Sequence, residues 1–219
     1  MSVHIRRRSA PQGGCAFAPE LHPVLVRVYA ARGIRLADEL SSSLERLLPI
    51  SSLEGVEGAI ELLLRHRIDG RVLIVGDFDA DGATSTALMV RALRAWGFAA
   101  VDFLVPNRFA FGYGLTPEIV ALAAERRPTL IVTVDNGISS LAGVHEARAR
   151  GIEVLVTDHH LPAAALPEAN AIVNPNVIGS RFGSRALAGV GVAFYVIAGL
   201  RHRLELQGAL AYQRTTGRE

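Results

Sequence analysis

From Arg71 onward the chain alternates between short runs of β-branched and aliphatic residues and longer stretches in which apolar positions recur every three or four residues. "RVLIVG" (71–76), "AAVDFLVP" (99–106), "PTLIVTV" (128–134) and "IEVLVT" (152–157) have the length and composition of buried strands. Between them lie helical patterns. Ala83 to Trp96 puts Leu88, Ala92 and Ala95 on one face and Arg91 and Arg94 on another. "TPEIVALAAERR" opens with Thr116 as cap and Pro117 as first helical residue, and "SSLAGVHEARARG" stops at Gly151. Strands alternating with helices of about 10–15 residues predict an α/β fold, a doubly wound, mainly parallel sheet with helices on both faces.

Upstream the pattern is helical throughout. "LHPVLVRVYAARG" ends in a glycine, and "SSLEGVEGAIELLLRHRIDG" opens with Ser51 and Glu54 at capping-box spacing and closes at Gly70. The expected organisation is a flexible arm over 1–20, a helical lead-in over 21–70, the α/β domain over 71–206, and a connection beginning in 207–219. Ala186 to Leu200 is the most apolar stretch, but it falls short of the roughly 20 residues of a bilayer span and reads as a core helix. "MSVHIRRRSAPQGG" carries charge with no apolar run behind it, unlike a secretory leader.

Composition adds limits more than answers. Half of the 219 residues are apolar, enough for a sizeable core. Cys15 is the only cysteine, which excludes an intrachain disulfide and suits a reducing, cytoplasmic setting. The 23 basic residues are all arginine, and a net charge of +2 with a pI near 9.1 gives only mild attraction to polyanions.

The polar residues are more informative than the totals. "DFDADG", "NRFAFGYG", "DNGIS" and "DHHLP" each follow a strand, so in a parallel sheet they gather along the carboxyl edge, where such folds bind ligands. Asp77, Asp79 and Asp81 begin like a calcium loop, but the twelfth position is Leu88 and a strand precedes them, which rules out an EF-hand. In an extended segment, residues i and i+2 point the same way, so these acids would present two or three carboxylates to one pocket. Such crowding calls for cations. Oxygen ligands with one or two imidazoles suit Mn²⁺ or Mg²⁺, with zinc as an alternative. Two ions about 3.5–4 Å apart serve in-line phosphoryl chemistry, which points to a phosphoester substrate. "GATSTA" places small residues at a helix start, where free amides favour an anion. Asp135 alone is equally well a helix cap, whereas Asp158, His159 and His160 stand together on the acid-lined edge. His4, His22, His66, His145 and His202 lack that company.

"DFDADGATS", "PNRFAFGYGLTPE", "VTVDNGISS", "VTDHHLP" and "ALAGVGVAF" together resemble the DHH phosphoesterases across roughly Leu21 to Leu206, most closely the members that degrade single-stranded DNA from the 5′ end. The resemblance implies two Mn²⁺ or Mg²⁺ ions, with Asp79, Asp81, Asp135 and His159 as ligands and Asp77, Asp158 and His160 in or beside the cluster. Extended geometry would send His159 and His160 to opposite sides and leaves open which one meets metal; His159 is assigned to metal and His160 to the scissile phosphate. The resemblance, in which the "PNR" loop lies over the path of the DNA, makes Arg108 the candidate for a terminal 5′-phosphate, with an ordinary surface arginine as the alternative. Asn136 and Gly137 would bring amides to that phosphate, and Tyr113 either stacks on a base or fills the core.

The implied activity is 5′→3′ hydrolysis of single-stranded DNA to mononucleotides in repair and recombination, by in-line attack of a water on the terminal phosphodiester. Partners would be single-stranded DNA and replication or repair proteins such as a single-strand-binding protein, with no membrane. Two rivals remain: a phosphoesterase of pyrophosphate, oligonucleotides or cyclic dinucleotides, and a non-catalytic module that retains metal. Family members continue past the "GVGVAF" helix to a further metal-binding aspartate, and "ELQGALAYQRTTGRE" contains none. The chain therefore reads as an N-terminal portion with weak or no exonuclease activity alone.

Overall fold

The computed structural model describes residues 4, 16–17, 19–41 and 43–210, without the side chain of Arg108. Most of the expected arm, and the end of the expected connection beyond 210, lie outside the described residues. The chain divides into two compact units, 1–48 and 49–219. In the first, α1 (Pro23–Ala31) starts with proline in its first turn, and the His22 ring accepts a hydrogen bond from the Val24 amide at 3.2 Å. A parallel bridge joins Ala16 to Leu36.

The second unit opens with a short 3-10 turn (Ile50–Ser52) and α2 (Val56–Arg65). The anticipated capping box does not form. Glu54 instead accepts hydrogen bonds from the Ser180 hydroxyl (2.7 Å) and the Arg181 amide (2.8 Å), and the helix starts after Gly55, whose φ of 85° suits glycine. The helix also ends at Arg65, well before Gly70. His66 caps it and turns inward, bonding Thr129 Oγ1 at 2.8 Å and Glu153 Oε2 at 2.7 Å.

Strands β1 (Arg71–Gly76), β2 (Ala100–Leu104), β3 (Leu130–Val134), β4 (Glu153–Thr157) and β5 (Ala171–Val173) form one all-parallel sheet in the order β2-β1-β3-β4-β5. The pattern had shown four; β5 escaped because three residues are too few for periodicity to register. The intervening helices are α3 (Ala80–Ala95), the short α4 (Arg108–Phe111), α5 (Pro117–Ala124) and α6 (Leu141–Ala149), and α7 (Gly189–Leu206) closes the order. One sheet face packs Leu73, Val75, Ile131, Val154 and Val156 against Ile119, Val120 and Ala123 of α5 and Val144 and Ala147 of α6. Helix α3 covers β1 and β2 on the other side and packs on α7, which in turn packs on α2. The expected doubly wound α/β architecture is therefore present, with every residue of β3 buried as a two-sided parallel strand requires.

Two helix readings change. Helix α3 begins at Ala80, three residues earlier than anticipated, and its buried stripe is Gly82, Ser85, Thr86, Met89, Val90 and Leu93 rather than Leu88, Ala92 and Ala95. Two small polar residues inside the stripe hid it from a count of apolar positions. The core helix runs Gly189–Leu206, displaced toward the C-terminus because Ala186 to Ala188 are spent in the approach to its cap. Among the described residues no helix is long and apolar enough to cross a membrane.

Candidate metal centre

In a sheet ordered β2-β1-β3-β4-β5, the chain leaves β1 toward one edge and β3 toward the other, so the loops that follow them part and leave a crevice. Asp77 and Asp79 follow β1 on one side of that crevice, Asp135 follows β3 on the other, and the Asp158–His160 corner follows β4. Ligand atoms of Asp77, Asp79 and Asp135 lie within 4.8 Å of one another, as do those of Asp135, His159 and His160. Asp135 belongs to both groups.

The three acids after β1 do not share an extended segment as anticipated. Asp79 is the N-cap of α3, accepting from the Gly82 amide at 2.9 Å, and Asp81 already lies in the first helical turn. The first turn requires glycine at 82, which packs so closely on Asp77 that a Cβ there would stand 2.5 Å from its carbonyl oxygen. Asp81 consequently faces α7, where its two oxygens accept the Gly189 and Val190 amides, each at 2.7 Å. A carboxylate on the free amides of a helix start satisfies otherwise orphaned donors and complements the dipole. Asp81 Oδ2 also stands 3.8 Å from His159 Nε2.

Asp135 is 1% exposed and holds a left-handed backbone, φ 61°, a conformation rare outside glycine, asparagine and aspartate. Burial, then the charges of Asp81 and Asp79, push its pKa up to about 7. Its Oδ1 has no hydrogen-bond partner although His159 Nε2 is only 3.1 Å away. The two facts reconcile at the other ring nitrogen. His159 Nδ1 lies 3.0 Å from the Leu187 carbonyl, which can only accept, so in the neutral ring Nε2 carries a lone pair. With Asp135 ionised, two acceptors then face each other across 3.1 Å beside further carboxylates. A divalent cation is what such a donor set fits, and a carbonyl that fixes the ring tautomer is the usual support of a metal-bound histidine.

The histidines do not diverge, because the chain after β4 is not extended. Buried Asp158 bends it: Oδ1 accepts the His159 amide (2.7 Å), the His160 amide (3.1 Å) and His160 Nδ1 (2.7 Å), while Oδ2 accepts the Ile138 amide (2.9 Å). Asp158 is thereby saturated and acts on the site by shaping this corner. Burial alone would lower the His160 pKa, but the hydrogen bond and charge of Asp158, with Asp135 and Asp77, hold it above its ordinary value.

The other expected site residues fall as follows. The Arg108 side chain lies outside the described residues; its backbone opens α4. Tyr113 is half exposed, its hydroxyl 3.2 Å from the Asp135 carbonyl, to which it donates, and 3.2 Å from His160 Nδ1. Asn136 is buried, with Nδ2 donating to the Val134 (2.9 Å) and Val75 (3.2 Å) carbonyls, so its side chain closes the ends of β3 and β1. Gly137, φ 111°, passes so near Thr133 that a Cβ would meet its hydroxyl at 2.4 Å. Gly137 and His160 border a cleft of about 420 Å³ running toward the start of α6.

Sequence reasoning missed the residues that hold this corner. Asn176 Nδ2 donates to the His159 (2.6 Å) and Arg185 (3.2 Å) carbonyls, and Asn174 Nδ2 donates to the His160 carbonyl at 3.0 Å. Their signal was "NPN" directly after the overlooked β5. Asn174 is buried and its Oδ1 also accepts the Asn176 amide at 2.7 Å. Asn174→Ala is expected to cost about 1 kcal/mol, because the His160 carbonyl and the Asn176 amide, both partly buried, lose their partner, and thermal denaturation in chelator would measure the loss.

Fold, sheet edge and donor set define a metal-dependent α/β domain, and residues 71–215 match the model of the DHH family, N-terminal domain. The chain belongs to that family. Its relatives include the single-stranded-DNA-specific exonuclease RecJ of Escherichia coli (strain K12), 55% identical over 207 residues, covering 94% of this chain and 36% of that protein. RecJ of Thermus thermophilus is 37% identical over 195 residues, covering 89% of this chain and 28% of that one. The chain thus spans about a third of the length of the curated relatives it matches. A crystal structure of exonuclease RecJ bound to manganese matches with a TM-score of 0.64 and 36% identity, over 72% of this chain and 40% of the other. RecJ from Thermus thermophilus in complex with Mn²⁺ gives 0.63 and 35%, over 81% and 24%.

Proposed function

We propose that this sheet edge is the metal-binding part of a 5′→3′ exonuclease acting on single-stranded DNA. The observation that carries the reading is the position of Asp135, common to an all-carboxylate group and a carboxylate–histidine group, as a residue bridging two ions would be. The curated relatives named above are single-stranded-DNA-specific exonucleases, and two of the matched structures contain manganese. Asp79, Asp135 and His159 would hold Mn²⁺ or Mg²⁺, with Asp77 and Asp81 at hand. When bound, such a pair lowers the pKa of water and neutralises charge on the phosphate oxygens.

The residues do the remaining work. Asp158 keeps His160 oriented and protonated more readily than a free imidazole, so that it can donate to a phosphate oxygen on the solvent side of the corner. Tyr113, tied to Asp135 and His160, sets how closely the loop after β2 approaches the centre. Phe78, after β1, and Phe109, in α4, are 51% and 94% exposed, and with Tyr113 they offer flat faces on which unpaired bases stack without regard to sequence. Arg108, next to Phe109 in the sequence, is the proposed fork for a terminal 5′-phosphate, and the Asn136 and Gly137 backbone amides would serve the same phosphate.

The test is a chimera in which this chain replaces the matching segment of the E. coli relative. Mn²⁺-dependent release of mononucleotides from 5′-phosphorylated single strands is expected, and Asp135→Ala should abolish it. A chimera that folds, binds Mn²⁺ and hydrolyses pyrophosphate while leaving single strands intact would transfer the site to small phosphates.

A further inference from the structure

We propose a second site, for a phosphate group, at the opposite edge of the sheet. Where β1 and β2 begin, a cavity of about 580 Å³ is lined by Arg71, Arg94 and Arg126, with Asp102 the single carboxylate among its lining residues. Strand lengths of five or six residues, at about 3.3 Å each, separate this edge from the acid cluster by roughly 15–20 Å. It is thus a different place on the molecule from the metal centre.

Two of the arginines are held in position by the fold. Arg94 donates through Nε (3.1 Å) and Nη2 (2.7 Å) to the Val101 carbonyl, and Arg126 Nη1 donates to the Phe103 carbonyl (2.5 Å) and to Asp102 Oδ2 (2.8 Å). Each guanidinium has five N–H donors, so both keep donors to spare, and the side chain of Arg71 has no partner among the described residues. A basic residue in the last turn of a helix offsets the helix dipole, which accounts for Arg94 at the end of α3. It does not account for Arg71, the first residue of a strand, which lines the same cavity.

The charge balance selects the ligand. Three positive groups against one negative leave an excess of two in the cavity. A phosphate monoester carries about −1.5 to −2 at pH 7 and offers three oxygens, one for each guanidinium fork, whereas a single carboxylate would neutralise half of the excess. Pre-positioned forks also lose little freedom on binding. The phosphate can come from a free nucleotide or from the backbone or end of a nucleic-acid strand; the recognition chemistry is the same.

Calorimetric titration of the 219-residue chain in chelator, which removes divalent ions from the acid cluster, tests this with three probes: pyrophosphate, thymidine 5′-monophosphate and a 5′-phosphorylated oligothymidylate. Saturable binding is expected. Arg71→Ala should weaken it about tenfold or more, as loss of a charge-assisted contact does, while Asp102→Asn should strengthen it. Arg71-dependent binding of all three probes places a free nucleotide in the site, and Arg71-dependent binding of the oligonucleotide alone places a strand there. The proposal is overturned if no probe binds, or if binding is indifferent to both Arg71→Ala and Asp102→Asn in variants whose circular dichroism matches the parent. Neither result bears on the exonuclease reading, which the chimera tests separately.

Discussion

Asp135→Asn is expected to make the metal-free protein more stable at pH 8 while removing its response to Mn²⁺. The aspartate is buried, one oxygen lacks a partner, and burial with the neighbouring carboxylates raises its pKa from 3.8 to about 7. The folded state therefore holds the proton more tightly than the unfolded chain. Stability is undiminished below about 3.8, falls as pH rises through the interval, and has lost its full share above about 7. At 1.36 kcal/mol per pKa unit the ceiling on that share is about 4 kcal/mol. Asparagine keeps the shape, tolerates the left-handed backbone and cannot ionise, so the variant should escape the loss. In the parent, Mn²⁺ must displace the proton. Binding should release protons below pH 7 and weaken as the solution is made more acidic. Melting curves at pH 5 and pH 8, with chelator and with Mn²⁺, provide the measurement. A variant that melts below the parent at pH 8 in chelator, or that gains as much from Mn²⁺, would contradict the account of Asp135.

Gly189→Ala should disable the centre from a position that carries no functional group. The start of α7 lies against Asp135 so closely that a Cβ on Gly189 would sit 2.4 Å from Oδ1, 2.9 Å from Cγ and 3.0 Å from Cβ. Neither side can yield easily. The Gly189 amide is bonded to Asp81, and Asp135 is buried with its own amide bonded to the Thr157 carbonyl at 3.0 Å. Displacing a ligand by even 1 Å can cost about a hundredfold in rate, so a loss of at least that order is expected in the chimera, with weaker Mn²⁺ binding in the chain itself. Gly191→Ala is the matched control. Its Cβ would meet the Leu187 side chain, 2.5 Å from Cδ1 and 2.8 Å from Cγ, and no ligand carboxylate. Equal losses in the two variants would show general damage to α7 and would remove the argument from close approach.

That Asp77, Asp79, Asp135 and the Asp158–His160 run share one edge was legible in the sequence, because apolar runs alternating with amphipathic helices imply a parallel sheet and each run is followed by its polar cluster. The detailed use of each acid was not. Asp81 sits two residues beyond Asp79 and looked equivalent to it, yet a helical turn intervenes and sends it to cap α7. His159 and His160 looked divergent because the bend depends on Asp158 accepting two successive amides, a contact that no periodicity reports. Ser51 and Glu54 had the spacing of a cap, but Glu54 found stronger partners across the fold in Ser180 and Arg181.

By itself the sequence determined the layer architecture, the order of strands and helices through β4 apart from the short α4, and the edge on which the chemistry gathers, since these follow from local hydrophobic period and the one-way sense of parallel connections. Tertiary structure alone decided that Asp135 serves both ligand groups, that the Leu187 carbonyl and Asn174 and Asn176 hold the histidine corner, and that three arginines meet at the far end of the sheet. Those are contacts between residues far apart along the chain. They depend on the packing of helices and loops against one another, for which adjacent positions in a sequence carry no record.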